Sequence, residues 1–490
     1  MKFKVCDTHF PAAWVGVEGL NLLRLDSRYY SPQYLEDDEL LNSENFDKKT
    51  IGQMAALVKD GPGGWAFKAN EYTTEGVPVI RASDLVNGLD LSNAVYMTDE
   101  KHQELKQSEC LPGDLVISVR GTPGRAAIVP DSVEKANLNA AVVRVRLKDK
   151  WTKHGHYISA FLNSPFGRRV TERIANGAVQ NNINLTEVRS IPVPIPDQII
   201  QEYIGQKIEL SEQIKGVSNK YFAEAVELFD KLYGVGSFHP DFSSSNFVEG
   251  FAITNNLNSQ FYLPRYFDME NHLQSQGFPV SNIKDLLRDS IIRSSTPQRT
   301  NERLIPCILT SDIDPYEIRH ACPSLYITKQ THENHSGKLE EYDVVYTSVG
   351  PPVGEAALIL KEYQPIAVGG DVSILRTDEN LHPGYLTLFL NSIFGKMQND
   401  RHARGIRQRR VYPENIGDFY ILRLSKDDQC YIGERVIRYQ CLNELARKYL
   451  TEAKSDVEAL IEGKLDADAI MSGKLKAPTW EDIEKELEGI

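Results

Sequence analysis

Nearly the same sequence occurs twice in this chain, so whatever it folds into is built from two like parts. Leu25–Tyr34 reads LDSRYYSPQY and Leu257–Tyr266 reads LNSQFYLPRY, an offset of 232 residues. FLNSPFG at Phe161 returns as FLNSIFG at Phe389, an offset of 228 that persists through IGQKI at Ile204 against IGERV at Ile432, and NKYFAEA against RKYLTEA. A period this long exceeds any solenoid unit, so each copy is a domain with its connection. Two tandem copies imply a pseudo-twofold molecule that can present similar surfaces to a two-sided target, of which double-stranded DNA is the commonest. A duplicated globular domain with no symmetric ligand is the plainer alternative.

With 490 residues, 41% hydrophobic and 25% charged, the chain has the material for two cores. No run approaches the roughly 18 apolar residues of a membrane span, and MKFKVCDTHF lacks a signal peptide's apolar stretch, so a cytoplasmic location is expected. Six scattered cysteines without a CxxC pair oppose both a zinc site and a disulfide framework, and read as small buried hydrophobes. A net charge of −13 opposes phosphate binding as a sum, yet Arg401–Arg410, RHARGIRQRR, holds five arginines and no acid. Basic charge is local in an acidic protein.

Each copy begins with a polar-aromatic segment and continues through alternating apolar stretches. VPVIRASDL, GDLVISV and AAVVRVRL read as strands in the first copy, and LIPCILTSDI, YDVVYTSVGPP and GDVSILR in the second. Helical patterns follow at HGHYISAFLNSPFGRRVTERIA and HPGYLTLFLNSIFGKMQND. The fold class is therefore α+β, as two tandem mixed domains.

After IPVPIP at Ile191 the spacing turns helical. Ile200, Ile204, Lys207, Ser211, Ile214, Ser218, Tyr221, Ala225, Leu228 and Leu232 recur in steps of four and three, an imperfect coiled-coil seam with polar entries. Ile432, Tyr439, Leu442, Ala446, Tyr449, Ala453 and Leu460 form its counterpart. Two such helices of some 35 residues are expected to pack antiparallel as a spacer about 50 Å long; each packing only on its own domain is the alternative. The tail beyond residue 464 has no counterpart in the first copy, and Trp480 within it could dock on a partner or back on the body.

Catalytic signatures are missing from the sequence. No GxxxxGK[ST] loop occurs; HENH at His332 has the wrong spacing for a zinc protease and reads as a solvated loop; DPY at Asp314 has one proline and no glycine-rich cofactor loop before it; DGPGG at Asp60 reads as a tight loop. A scattered acidic nuclease centre stays open. What remains are loops suited to bases and phosphates, because arginine matches guanine's major-groove edge and Asn or Gln that of adenine. NGAVQNNIN at Asn176–Asn184, preceded by Arg168, Arg169 and Arg173, aligns with RGIRQRRVY at Arg404–Tyr412. Gln180, Asn181 and Asn182 stand against Gln408, Arg409 and Arg410, so similar scaffolds carry different edge-reading side chains. A solvated arginine face is the competing reading.

Taken in order, RLDSRYYSP, VKDGPGGWAFKANEYTTEGVPVIRASDL, PGDLVISVRGTPGRAAIVP, FLNSPFGRR and IPVPIPDQIIQEYI, all duplicated, resemble the specificity subunit of type I restriction-modification systems. The resemblance implies target-recognition domains at residues 1–197 and 236–426, spacer helices at 198–235 and 427–463, and an acidic tail at 464–490. It implies a non-catalytic subunit in which the helices pair antiparallel and each domain reads one half of a split DNA site. Methyltransferase subunits, two of them expected, would bind around the helices and use S-adenosylmethionine to methylate adenine N6. A restriction subunit would add ATP- and Mg-dependent translocation and cleavage. The second copy departs from the pattern, with Val349 and Glu355 in place of Arg120 and Arg125, and RSSTPQRTNERLIP in place of the glycine-rich loop.

On this reading Arg168, Arg169, Arg173, Arg401 and Arg404 are expected on phosphates. Gln180, Asn181, Asn182, Arg407, Gln408, Arg409 and Arg410 are expected on bases, with Arg120, Arg125, and Lys68, Gln298 and Arg299 of the loops Lys59–Lys68 and Arg293–Arg303, as further DNA contacts. Ile204, Tyr221, Leu228, Ile432, Tyr449 and Leu460 on the helices are expected to meet partner subunits. No metal or cofactor is expected on the chain itself. The alternatives are a specificity subunit of a methylation-based phage-defence system, a self-sufficient methyltransferase or nuclease, and an interaction scaffold.

Overall fold

A computed structural model of the chain describes residues 3–6, 12–15, 24–43, 47–64, 66–86, 88–175, 181–248, 258–300, 302–405 and 408–487. They divide into two compact units, Met1–Ile214 with Leu445–Ile490, and Lys215–Glu444. The division falls inside both long helices, Gln198–Tyr233 and Lys426–Ile461, each of 36 residues.

The repeat reappears as topology. In the first unit strands Ala55–Asp60, Val142–Leu147, Leu115–Ser118 and Ala126–Ile128 form an antiparallel sheet in that spatial order; in the second, Ile292–Arg293, Val372–Leu375, Val344–Thr347 and Ala356–Leu358 do the same. A three-stranded sheet accompanies each, and both contain one parallel pair, Val77–Ile80 with Asn137–Leu138 and Ile305–Ile308 with Ala367–Val368. The central strands Leu115–Ser118 and Val344–Thr347 are buried at every residue and polar only at the hydroxyls of Ser118, Tyr346 and Thr347, as strands covered on both faces must be.

The Asn, Ser and Gly of the repeated FLNSxFG segment each have a structural task in both copies. The predicted helical stretches are each two helices, Gly155–Asn163 then Pro165–Ile174, and Pro383–Asn391 then Ile393–His402. Asn163 accepts from Ala126 N at 3.1 Å and donates to Ala126 O at 2.6 Å; Asn391 makes the same pair with Ala356 at 3.1 and 2.8 Å. Ser164 and Ser392 cap the second helices through Gly167 N and Gly395 N. A Cβ on Gly167 would lie 2.0 Å from Phe161 O, and one on Gly395 2.4 Å from the carbonyls of Phe389 and Leu390, so only glycine permits this approach.

In the first unit Lys207 of the Gln198–Tyr233 helix meets Asp456, and Ser211 donates to Ala446 O. In the second, Ser218 donates to Tyr439 O and Glu224 pairs with Arg435. Residue numbers rise on one helix as they fall on the other, which is antiparallel packing. The polar entries that blurred the seam are thus its interhelical bonds, and Ile204, Ile214, Ala225, Ile432 and Leu442 fill the apolar positions between them.

Two expectations are corrected, HENH as a solvated loop and the cysteines as uniformly buried, and the tail is placed on the body. The tail is part of the first unit: Ile470 joins its core and Ile483 is fully buried, while Trp480 donates to Glu484 within its own helix. HENH is no solvated loop, for it closes the helix Lys329–Asn334, and His335 is buried against Val368 O at 2.7 Å. Cys110, Cys307 and Cys441 are buried, and burial raises the last two thiols to about 12, but Cys322 is exposed and the Cys6 side chain lies outside the described residues. Among the described residues no helix is long and apolar enough to cross a membrane, and no cluster of His, Cys, Asp or Glu could hold a metal.

Candidate nucleic-acid interface

In the first unit the loop at Arg120 and the loop at Asn182 are joined as an antiparallel bridge, and Ile183 N donates to Val119 O at 3.0 Å. In the second, Val349 and Gly350 pair with Arg410 and Arg409, and Val411 N donates to Ser348 O at 2.9 Å. The two copies hold their corresponding loops by the same ladder, so Arg120 stands where Val349 stands and Asn182 where Arg410 stands. Asn181, whose side chain accepts from Arg28 at 3.2 Å, lies beside this bridge. Gln180 and Arg407 lie outside the described residues.

The second loop is a tight turn in which Arg404 and Arg410 exchange both backbone bonds at 2.8 Å, closed by Gly405 at a φ of 99°. It leaves Arg404, Gln408, Arg409 and Arg410 exposed. Arg409 pairs with Asp400 at 2.9 Å and Arg410 donates to Gln408 at 3.0 Å, contacts that orient the forks while leaving donors free. Lys68, Gln298 and Arg299 are exposed as well.

Three of the arginines expected on phosphates are instead held inside the domains. Arg169 makes a two-point ion pair with Asp37 at 2.6 and 2.9 Å and lies over the Phe166 ring. Arg173 donates to Tyr29 O, stacks on the Tyr29 ring at 4.3 Å and pairs with Asp38. Arg401 repeats this in the second copy, donating to Phe261 O, stacking on Phe261 at 4.3 Å and pairing with Glu270. These guanidiniums fasten the polar-aromatic opening segment of each copy to the helix that precedes the loop.

Arg168 differs from its second-copy counterpart. It donates to Pro123 O at 2.7 Å, burial lowers its pKa, and Arg125 nearby lowers it further against the pull of Glu172. Lys454 is likewise lowered, by burial and then by Arg168. Three cations therefore converge beside the loop that follows Ser118. At the matching positions of the second copy Glu355 and Lys396 form an ion pair at 2.8 Å, so the cationic cluster is confined to the first. Arg28 and Lys454 were not legible as site residues, because Arg28 meets Asn181 across 153 positions and Lys454 comes near Arg168 from the other end of the chain.

The helix residues expected to meet partners are mostly interior. Ile204, Ile432 and Leu460 are buried in the cores of their own units, Tyr449 is buried as well, and Leu228 packs partly against a core. Tyr221 is partly exposed and accepts from Arg438 at 3.4 Å.

Comparison with known proteins bears on this geometry. Residues 43–215 match the family model described as type I restriction modification DNA specificity domain. Comparison with curated proteins gives no match. Among solved structures, the chain is similar to the type I restriction-modification system S subunit from M. genitalium, at 13% identity and a TM-score of 0.45 over 86% of this chain and 97% of that one. It is also similar to the HsdS subunit from Thermoanaerobacter tengcongensis, at 13% identity and a TM-score of 0.26 over 88% and 97%. The family match thus gives residues 43–215, which lie within the first copy, a likeness to the DNA specificity domain of type I restriction-modification systems.

Proposed function

We propose that the chain is the DNA-recognition subunit of a type I restriction-modification complex, itself without a catalytic centre, that reads a bipartite double-stranded site. The observation that carries this is the family match over the first copy, joined to a second copy of the same sheet topology whose equivalent loop bears different side chains. A scaffold that is constant while its base-matching residues change is what reading two unlike half-sites requires.

On this reading Asn181, Asn182 and Arg120 read bases in one half-site, and Arg404, Gln408, Arg409 and Arg410 in the other, with Gln180 and Arg407 completing the loops. The cations Arg125, Arg168 and Lys454 favour a phosphate beside the first copy. Lys68, Gln298 and Arg299 flank these surfaces. The partners are methyltransferase subunits that use S-adenosylmethionine to methylate adenine N6 in each half-site, with a restriction subunit using ATP and Mg where one is encoded.

The test is base-modification sequencing of genomic DNA from the source strain with and without the gene. Loss of N6-methyladenine at one split motif is the expected result and names both half-sites; no change in any motif while the methyltransferase is expressed overturns the proposal. Replacing Gln408 or Arg409 relaxes one half-site only, and equal loss at both contradicts their assignment.

A further inference from the structure

The first copy has a cavity of about 740 Å³ beside the Arg120–Asn182 bridge. Its charged and amide side chains sort into two groups. Asn184 and Glu187 cap the helix Leu185–Ser190 reciprocally, Asn184 N donating to Glu187 at 2.7 Å and Glu187 N to Asn184 at 3.0 Å, so they are committed to the fold. Asp60, Arg120 and Asn182 are exposed, and their side chains make no hydrogen bond or ion pair with another described residue.

Asp60 ends the edge strand Ala55–Asp60, opposite Val143. In the second copy the residue at this register position, opposite Ser373, is Arg293. Its guanidinium donates to Gly370 O at 2.7 Å and faces Asp371 at 3.4 Å. The same place on the same scaffold thus carries opposite charge, internally engaged in one copy and free in the other. A free carboxylate beside a surface for polyanionic DNA is unfavourable unless it accepts a hydrogen bond, and the donors a duplex offers in its major groove are the base amines, N4 of cytosine and N6 of adenine.

We propose that Asp60 is a specificity-determining residue of the first copy, accepting a hydrogen bond from the exocyclic amine of cytosine or adenine at one position of that copy's half-site, next to the bases met by Arg120 and Asn182. This rests on the DNA-recognition function proposed above. Because an ionised carboxylate only accepts, it also rejects a base that presents an oxygen there, guanine O6 or thymine O4. Asparagine, with both donors and an acceptor, makes no such distinction.

The experiment is base-modification sequencing of DNA from cells expressing the full complex with the wild-type chain, Asp60→Asn or Asp60→Ala. A wild-type chain that yields no split motif defeats the function itself, independently of Asp60. With a wild-type motif in hand, both variants are expected to retain one half-site unchanged and to accept additional bases at a single position of the other. Methylation at these new sites, relative to the original ones, rises by about 5- to 150-fold. An unchanged motif overturns the proposal. Uniform loss of methylation in both variants, with assembly and thermal unfolding as in wild type, also overturns it, since a base-reading residue alters which sites are chosen. Unfolding of either variant overturns it as well, because it would show a structural role for a side chain that has no partner among the described residues.

Discussion

Lys207 Nζ lies 2.7 Å from Asp456 Oδ2, and the lysine side chain is only 7% exposed. Burial opposes its charge, but the hydrogen bond and attraction of Asp456 outweigh that opposition and hold the ammonium above its usual pKa. Glu452 stands second at 3.3 Å. A lysine in a helix seam is tolerable only with such partners.

Asp456→Asn leaves that ammonium to Glu452 alone, at a longer distance, so it destabilises the first unit by up to about 3 kcal/mol. The double variant Lys207→Met with Asp456→Leu removes both charges and returns to within about 1 kcal/mol of wild type. Urea unfolding of the full chain checks both; a single variant as stable as wild type contradicts the pairing.

Arg401 and Arg410 stand nine positions apart and have opposite roles. Arg401→Ala breaks a buried pair and an aromatic stack and costs about 3 kcal/mol. Arg401→Lys recovers little, because a point charge reproduces neither the stack nor the fork. Arg410→Ala, at an exposed position, changes stability by no more than about 0.5 kcal/mol. Thermal unfolding separates the two, and Arg173→Ala should follow Arg401→Ala in the first copy.

Gly395→Ala drives a methyl against two carbonyl oxygens, and the backbone has to shift to admit it. The expected loss is about 3 kcal/mol, and Gly167→Ala should behave alike. Differential scanning calorimetry of each variant gives the measurement; an unshifted transition contradicts the close approach.

His402 gives the second unit a pH dependence. Burial first, and then Arg401, depress its pKa from 6.5 to about 4. The unfolded chain takes up a proton near pH 6.5 that the folded chain refuses until about pH 4, so this stability is complete above the first value and is lost as pH falls toward the second. The total is about 3 kcal/mol. His382, lowered by burial, adds to the same slope. His402→Phe keeps the ring against Phe261 and Phe419 and removes its share, flattening urea stability measured between pH 6.5 and 4.5.

The duplication, the central strands and the antiparallel seam were legible from patterns within the sequence, whereas the flanking strands Ala55–Asp60 and Ala126–Ile128 were not. Short continuous apolar runs mark Leu115–Ser118 and Val344–Thr347, and steps of four and three find the 36-residue helices. The break at Ser164 and Ser392 was not, since a serine between two apolar runs becomes a cap only when the chain turns there. Loop equivalence was legible from alignment, and its ladder partners Arg120 and Asn182 from nothing nearer than the fold.

The sequence by itself determined that there are two like α+β parts, where the central strands and the two long helices run, and which loops differ between them. Only the tertiary structure decided what each charged side chain does. An arginine offers five donors and a flat face to any acceptor within reach, and whether that acceptor is inside the protein depends on residues far away in the chain. Asp37 lies 132 positions from Arg169, and Glu270 131 from Arg401. Folding brings these carboxylates to two arginines that the sequence had grouped with the exposed Arg404, Arg409 and Arg410, and leaves Asp60 with no such partner among the described residues.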